Sequence, residues 1–269
     1  MGLWENVPEQ SIRSVMDTNF DSLANKFSHN IYHTTKGRLR LDILQREFSQ
    51  YLLPRFEQES LRLLDAGGGQ GQMACWLAQK GHQVDFCDVS EQMLTMAKAL
   101  ASEHQVAEQF EFHQLKAQQI GATLGRKYSL ICFHAVLEWL AEPREGLLTL
   151  LESLEQGGVM SLMFYNYYGL EMHHAVNGNY QYMLKGMPKK HHNTIIPQGR
   201  FKPEEVEQWL VEAGYKVERR IGLRVLHDYV KDKNLQEKCY DRLLELEWQR
   251  CAHPVYRDLG RYSHFTVSR

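Results

Sequence analysis

Two aspartates and a run of glycines carry the most chemistry in this sequence. Asp65 closes a short apolar run, Leu61, Leu63 and Leu64, and four of the next six residues are glycine. Beyond them MACWLAQKG has helical spacing, with Met73, Trp76 and Leu77 on one face and Gly81 as a stop. The pattern predicts a buried strand, a tight turn and a helix. Glycines at Gly67, Gly69 and Gly71 free the backbone for positive φ and remove Cβ atoms from the turn. A flat ligand then lies against bare peptide, near the positive end of a helix. A nucleoside with a polar tail suits such a surface. Asp88, at the end of the second apolar run QVDFC, stands where a carboxylate accepts both ribose hydroxyl protons. Asp85 takes that role if the strand ends early.

Two cofactor classes fit this loop. Gly69-Gln70-Gly71-Gln72-Met73-Ala74 satisfies the G-x-G-x-x-G/A dinucleotide pattern. Asp65, two residues before the first of three alternating glycines, makes instead a D-x-G-x-G-x-G arrangement. That arrangement resembles the first motif of class I S-adenosylmethionine-dependent methyltransferases. A glycine-rich turn serving only helix–strand packing is the plain structural alternative.

The elements that position the loop follow from the rest of residues 61–165. Ser90 caps the helical stretch SEQMLTMAKALASEH, whose apolar face is Met93, Leu94 and Ala97. Residues 109–115 alternate as a third strand, followed by Lys116-Ala117-Gln118. Tyr128–His134 is almost continuously apolar, as a parallel strand covered on both faces is. Val159–Tyr165 forms a fifth strand after the turn Gln156-Gly157-Gly158. Steady alternation of strand and helix predicts an α/β fold, a doubly wound and mostly parallel sheet with helices on both faces. Ligands of such sheets lie beyond the carboxyl ends of the strands. Ala117 and Gln118 fall where a purine edge would be read, and His134 opens into the cleft. An ordinary turn and a satisfied structural histidine are the competing readings.

Composition sets bounds on partners. At 269 residues, 43% hydrophobic and 24% charged, the chain suits a soluble globular protein of one large α/β domain with additions, or two small ones. No stretch approaches the ~20 apolar residues that cross a membrane, and MGLWENVPEQS carries no secretory pattern. Five cysteines without a C-x-x-C pair fit a reduced, cytoplasmic protein with no zinc site. His173-His174 and His191-His192 lack further ligands at metal spacing, so no metal is expected. A formal charge of −2 means that any polyanion must meet a local patch.

Residues 1–60 read as an N-terminal helical cap, with amphipathic segments at 17–31 and 37–53. In the second, Leu39, Ile43, Leu44 and Phe48 form a stripe with Arg40 close to it. Arg40 is a solvated or snorkelling helix charge on this evidence, or else a grip for a cofactor carboxylate. Residues 61–165 form the cofactor-binding core. An insertion at 166–200 carries Tyr167, Tyr168, Tyr180 and Tyr182, then Lys185, Lys189, Lys190, His191 and His192. From Lys185 to Arg224 nine Lys/Arg face five Glu, and cations interleaved with aromatics suit a single-stranded RNA loop. A solvated insertion is the alternative. In 201–269 a helix over Phe201–Ala213 precedes a strand over Tyr215–Val225. A helical stretch follows from His227 to Arg250, and Tyr262–Val267 closes the chain as a short strand, which the methyltransferase fold resembled by the glycine loop implies is antiparallel and near the sheet's edge. The whole chain, 1–269, reads as one domain.

The pieces LDAGGGQGQ, CDVSEQML, FHAVLEWL, GGVMSLMFYN, GMPKK, LRVLHDY and LGRY resemble the bacterial tRNA 5-carboxymethoxyuridine methyltransferases, as does NFDSLANKFSHNIYHTTKGRLR. The likeness runs from about residue 17 to the end and leaves the first sixteen residues uninterpreted. It implies a Rossmann-like sheet of about seven strands and S-adenosyl-L-methionine as cofactor. Arg40, Gly67, Gly68, Asp88, Ala117, Gln118 and His134 are the cofactor contacts it implies. The partner it implies is a tRNA anticodon stem-loop carrying 5-carboxymethoxyuridine at the wobble position, converted to the methyl ester. A carboxylic acid with a pKa of about 4 is ionised at neutral pH, so no general base is expected. Arg224 and His227 are the candidates to hold that carboxylate, with Lys189 and Lys190 for the phosphate backbone. Arg224 also reads as an exposed strand charge. The other functions open to this sequence are a methyltransferase for a small acid or quinone-like metabolite, a non-catalytic RNA-binding protein, and a nicotinamide oxidoreductase.

Overall fold

The computed structural model describes residues 17, 34–56, 60–188 and 199–269. Lys189, Lys190 and the pair His191-His192 lie outside the described residues, as does the helix expected over 17–31 apart from Asp17. Helix α1 (Thr35–Glu47) continues through a π-helical turn, Phe48–Leu52. A central unit then alternates β1 (Arg62–Ala66), α2 (Gln72–Ala78), β2 (Gln83–Asp88), α3 (Glu91–Glu103), β3 (Phe110–Gln114), α4 (Ile120–Leu124), β4 (Tyr128–His134), α5 (Pro143–Leu151) and β5 (Leu154–Tyr165). The remainder is α6 (Tyr167–Val176), α7 (Tyr180–Leu184), α8 (Pro203–Glu212), β6 (Lys216–Leu223), α9 (Lys233–Lys238), α10 (Tyr240–Cys251), α11 (Pro254–Arg257) and β7 (Tyr262–Ser268).

The seven strands form one sheet in the order β3-β2-β1-β4-β5-β7-β6. Strands β1 to β5 pair in parallel, and β7 runs antiparallel between β5 and the edge strand β6. Successive strand side chains point to opposite faces, so Leu63 and Leu64 enter different cores. One core joins Leu63 to Ile43, Leu44 and Phe48 of the N-terminal segment and to Leu77 of α2. The other joins Leu64 to Ile131, Phe133, Leu147 and Val206 under α5 and α8. Full burial of a side chain such as Phe48, which has no exposed surface, contributes about 1.5–3 kcal/mol. The stripe on α1 therefore anchors the helix that carries Arg40. Glu47, fully buried at its end, adds an ion pair to Arg219 of β6 at 2.6 Å.

Three local expectations need correction. The turn at Gln156-Gly157-Gly158 is absorbed into β5, because Gly157 at φ +78° permits an irregularity without ending the strand. The register shifts between Tyr128 and Leu130 opposite it. The stretch from His227 to Arg250 is a 3-10 turn and two helices, with Asp232 capping the first through Asn234 N–H. Asp85 is not at the cleft. Its carboxylate accepts from Tyr128 Oη at 2.6 Å, at the start of β4, and pairs with Arg62 and Arg126. Glu111 and His113 complete that acidic group, whose carboxylates the two arginines neutralise. Cys75, Cys87, Cys132 and Cys251 are buried free thiols. No helix among the described residues is long and apolar enough to cross a membrane.

Candidate cofactor cleft and acceptor site

The glycine loop is tied to the end of β2. Gly67 and Gly68 N–H both donate to Cys87 O, at 2.7 and 3.2 Å, and Gly71 N–H returns to Gly68 O at 3.1 Å. Gly67, Gly69 and Gly71 have φ of +71°, +61° and +80°, the conformations that only glycine adopts without strain. Gly68 is required for space instead. A Cβ there would stand 2.3 Å from the Phe86 ring and 2.7 Å from Asp65 Oδ2. Helix α2 spans only Gln72–Ala78, so the bare loop, more than a long helix dipole, makes the surface.

Asp88 ends β2 and is already oriented. Its Oδ2 accepts from Gly69 N–H and its Oδ1 from Ser90 N–H, each at 2.9 Å. Asp65 faces the same cleft and is buried; that burial, and then the charge of Asp88, push its carboxyl up to about 7. The sequence showed Asp65 as the head of a motif but not as a titrating wall of the site.

An open cleft of about 1210 Å³ runs along the carboxyl ends of β1, β2 and β4. Arg40, Gly67, Gly68, Asp88, Ala117, Gln118 and His134 all line it. Gln118 Nε2 donates to Asp17 Oδ2 at 3.4 Å, and Asp17 Oδ1 accepts from Ala141 N–H at 2.8 Å. Asp17 thus closes one end of the cleft, a contact with no signal in the chain's local pattern. His134 Nε2 meets Ser161 Oγ at 2.7 Å, and Ser161 Oγ meets His264 Nε2 at 2.7 Å. Burial, then the nearby charge of Arg40, lower the His134 imidazole to about 3, so it stays neutral.

Beyond Tyr262 lies a second group of charges. Arg224 follows β6 at φ +60°, and Glu247 accepts from the next three backbone N–H groups, Val225, Leu226 and His227. Arg224 is not the exposed strand charge that its position allowed; its side chain is 11% exposed and pairs bidentately with Asp228. His227 differs from its expected role. It has no exposed surface, and its ring nitrogens meet Thr35 Oγ1 at 3.0 Å and Asp228 Oδ1 at 3.1 Å. The structure does not present it to a substrate. Arg261, which sequence reasoning missed, joins Asp228 at 2.7 Å. Its only signal was the closing LGRY piece.

Sheet order, glycine loop and paired aspartates together define the class I methyltransferase fold. Residues 64–160 match a methyltransferase-domain family. The crystal structure of magnesium protoporphyrin IX methyltransferase from Synechocystis PCC 6803 with bound SAH has the same fold. Its TM-score is 0.62 over 93% of this chain and 96% of that one, at 18% identity. The ubiquinone biosynthesis O-methyltransferase of Saccharophagus degradans is 25% identical over 65% of this chain and 72% of its own. The tRNA 5-carboxymethoxyuridine methyltransferase of Escherichia coli strain K12 is 47% identical over 255 residues, 95% of this chain and 97% of its own. The chain belongs to the family of tRNA 5-carboxymethoxyuridine methyltransferases.

Proposed function

We propose that this enzyme methylates the carboxylate of 5-carboxymethoxyuridine at the wobble position of tRNA, forming the methyl ester. The observation that carries the reading is 47% identity across 95% of the chain to a tRNA 5-carboxymethoxyuridine methyltransferase. The cofactor is S-adenosyl-L-methionine, and the cleft fits it. A Cβ at Gly67 would lie 2.4 Å from Val136, so the cradle exists only with bare backbone.

When bound, S-adenosylmethionine supplies an electrophilic methyl: a carbon–oxygen bond to the acceptor forms as the carbon–sulfur bond breaks, with the electron pair staying on sulfur. The chain's own residues bind and align. Asp88, pinned by Gly69 and Ser90, would hold the ribose hydroxyls without reorienting. Arg40 brings a fixed positive charge to the cofactor's carboxylate. Ala117 and Gln118, which line the cleft, would border the adenine, and neutral His134 would donate or accept without adding charge. The acceptor, with a pKa of about 4, arrives ionised, so no side chain takes a proton. What remains is alignment and exclusion of water. Lys189 and Lys190 contact the phosphate backbone in this reading. Free thiols and the lack of a membrane-spanning helix among the described residues suit a cytoplasmic enzyme.

The test uses labelled cofactor, the protein, and tRNA from cells that lack the ester. Nucleoside mass spectrometry is expected to find the label as a methyl ester on the wobble uridine. Label entering only small carboxylic acids or quinone-like phenols would overturn the tRNA reading. Binding of tRNA without any methyl transfer would make the chain a binding module.

A further inference from the structure

The Arg224–Asp228–Arg261 group is not needed to hold the cofactor, yet it is built with care. Arg224 donates through Nε to Asp228 Oδ1 at 2.8 Å and through Nη2 to Oδ2 at 2.7 Å. Arg261 donates through Nε to Asp228 Oδ2 at 2.7 Å and through Nη1 to Tyr165 Oη at 2.9 Å. The side chains are 11%, 4% and 9% exposed for Arg224, Asp228 and Arg261. Two guanidiniums therefore share one carboxylate in a nearly dry place, and one positive charge is left over. The adjacent carboxylate, Glu247, is committed to three backbone N–H groups. Lys36 of α1 adds a further cation; burial and then the charge of Arg224 lower its pKa. An uncompensated buried charge is costly. A fold that keeps one has a place for an anion.

Hydrogen-bond bookkeeping points the same way. The contacts above leave Nη1 of Arg224 and Nη2 of Arg261 without a partner among the described residues. One N–H-bearing nitrogen on each arginine is thus available to two oxygens of one ligand. The group also lies next to the cofactor cleft. The Tyr262 ring has the Arg40 guanidinium at 5.7 Å and that of Arg224 at 5.9 Å. Tyr262 pairs in register with Tyr165, the residue that Arg261 holds. One tyrosine therefore divides the cofactor's cation from the surplus cation.

Resting on the function proposed above, we infer that Arg224 and Arg261, held by Asp228, form the receptor for the acceptor carboxylate. Asp228 sets the strength of the grip. A free arginine would take a carboxylate with its whole fork and occupy both oxygens. With Asp228 engaging both arginines, each keeps one nitrogen, so the carboxylate is fixed while lone pairs remain for attack. The receptor also sorts substrate from product. The ester is neutral and leaves the surplus charge unmatched, so it is released.

The experiment measures binding of three anticodon stem-loops, carrying 5-carboxymethoxyuridine, its methyl ester, or 5-methoxyuridine, to the full chain without cofactor. The wild-type protein is expected to prefer the carboxylated loop by about tenfold or more. Arg261→Gln is expected to bring the three affinities within about twofold of each other and to leave cofactor affinity within about twofold of wild type. Arg261→Lys restores part of the preference. Equal binding of all three loops by the wild type would overturn the receptor whether or not any variant folds. So would an Arg261→Gln protein that loses affinity for all loops alike. Ester formation with no preference refutes the receptor alone; preference for the carboxylated loop with no ester formed refutes the proposed function alone.

Discussion

A carboxylate and a histidine in the cleft have protonation states that residue type alone does not give. Asp65 retains its proton to about pH 7 because burial, then Asp88, penalise its charge. The unfolded chain loses that proton near the ordinary value of 3.8. Between those two pH values the unfolded state binds fewer protons, so this residue's contribution to stability falls as pH rises. Thermal melts of the cofactor-free protein are therefore expected to show Asp65→Asn gaining on wild type from about pH 4 to pH 7, with no further gain above. His134 has the opposite sign. Its folded value, about 3, lies below the unfolded value of 6.5, so its contribution is lost as pH falls below 6.5. Turnover should accordingly show no step from His134 between pH 6 and 8. At Asp88, substitution by Asn removes a charge that lines the cleft and, in the proposed reading, faces the ribose. Calorimetry should find cofactor affinity lower by about 2 kcal/mol, the scale of a charged hydrogen bond.

Between elements, three backbones meet with no room for side chains. A Cβ on Gly169 of α6 would lie 2.1 Å from Gly260 O, and one on Gly222 of β6 would lie 2.1 Å from Arg257 O. Asn166 locks the same turn, donating through Nδ2 to Asp258 O at 2.9 Å and Gly260 O at 2.8 Å. This contact sets where Arg261 leaves the turn and enters β7. Gly222→Ala would push backbone against backbone and cost about 2 kcal/mol. For a chain of this size that is a fall in Tm of about 4–8 °C. Differential scanning calorimetry checks it.

For the molecule as a whole, charge is distributed rather than accumulated. The net charge is −2, while Arg224, Arg261 and Lys36 gather around Asp228, on the proposed acceptor side. Binding of a polyanion there releases counterions, whereas the cofactor cleft engages one small zwitterionic ligand. Raising salt from about 50 to 200 mM should weaken tRNA binding by about tenfold or more. Cofactor affinity should change by less than about twofold. Filter binding of tRNA and calorimetry of cofactor, run over the same salt series, separate the two.

The sequence by itself determined whatever depends on neighbours a few residues away. The alternation of strand and helix, the bare loop at Gly67–Gly71 and Asp88 at the end of β2 follow from local periodicity and glycine's backbone freedom, whereas the antiparallel direction of the last strand came from the fold family. Of the seven cofactor contacts that the family resemblance implied, six end or follow parallel strands, whose carboxyl ends share one edge, while Arg40 reaches the cleft from α1. Only the tertiary structure decided how the charges pair. Asp85 and Asp88 are three residues apart, but one is neutralised by Arg62 and Arg126 and the other faces the cleft. His227, a surface donor by sequence, is enclosed between Thr35 and Asp228, and Arg261 reaches Asp228 across 33 positions. Ion pairs of this kind act through space at a few ångströms, and no local pattern along the chain records which side chains the closed sheet will bring that near.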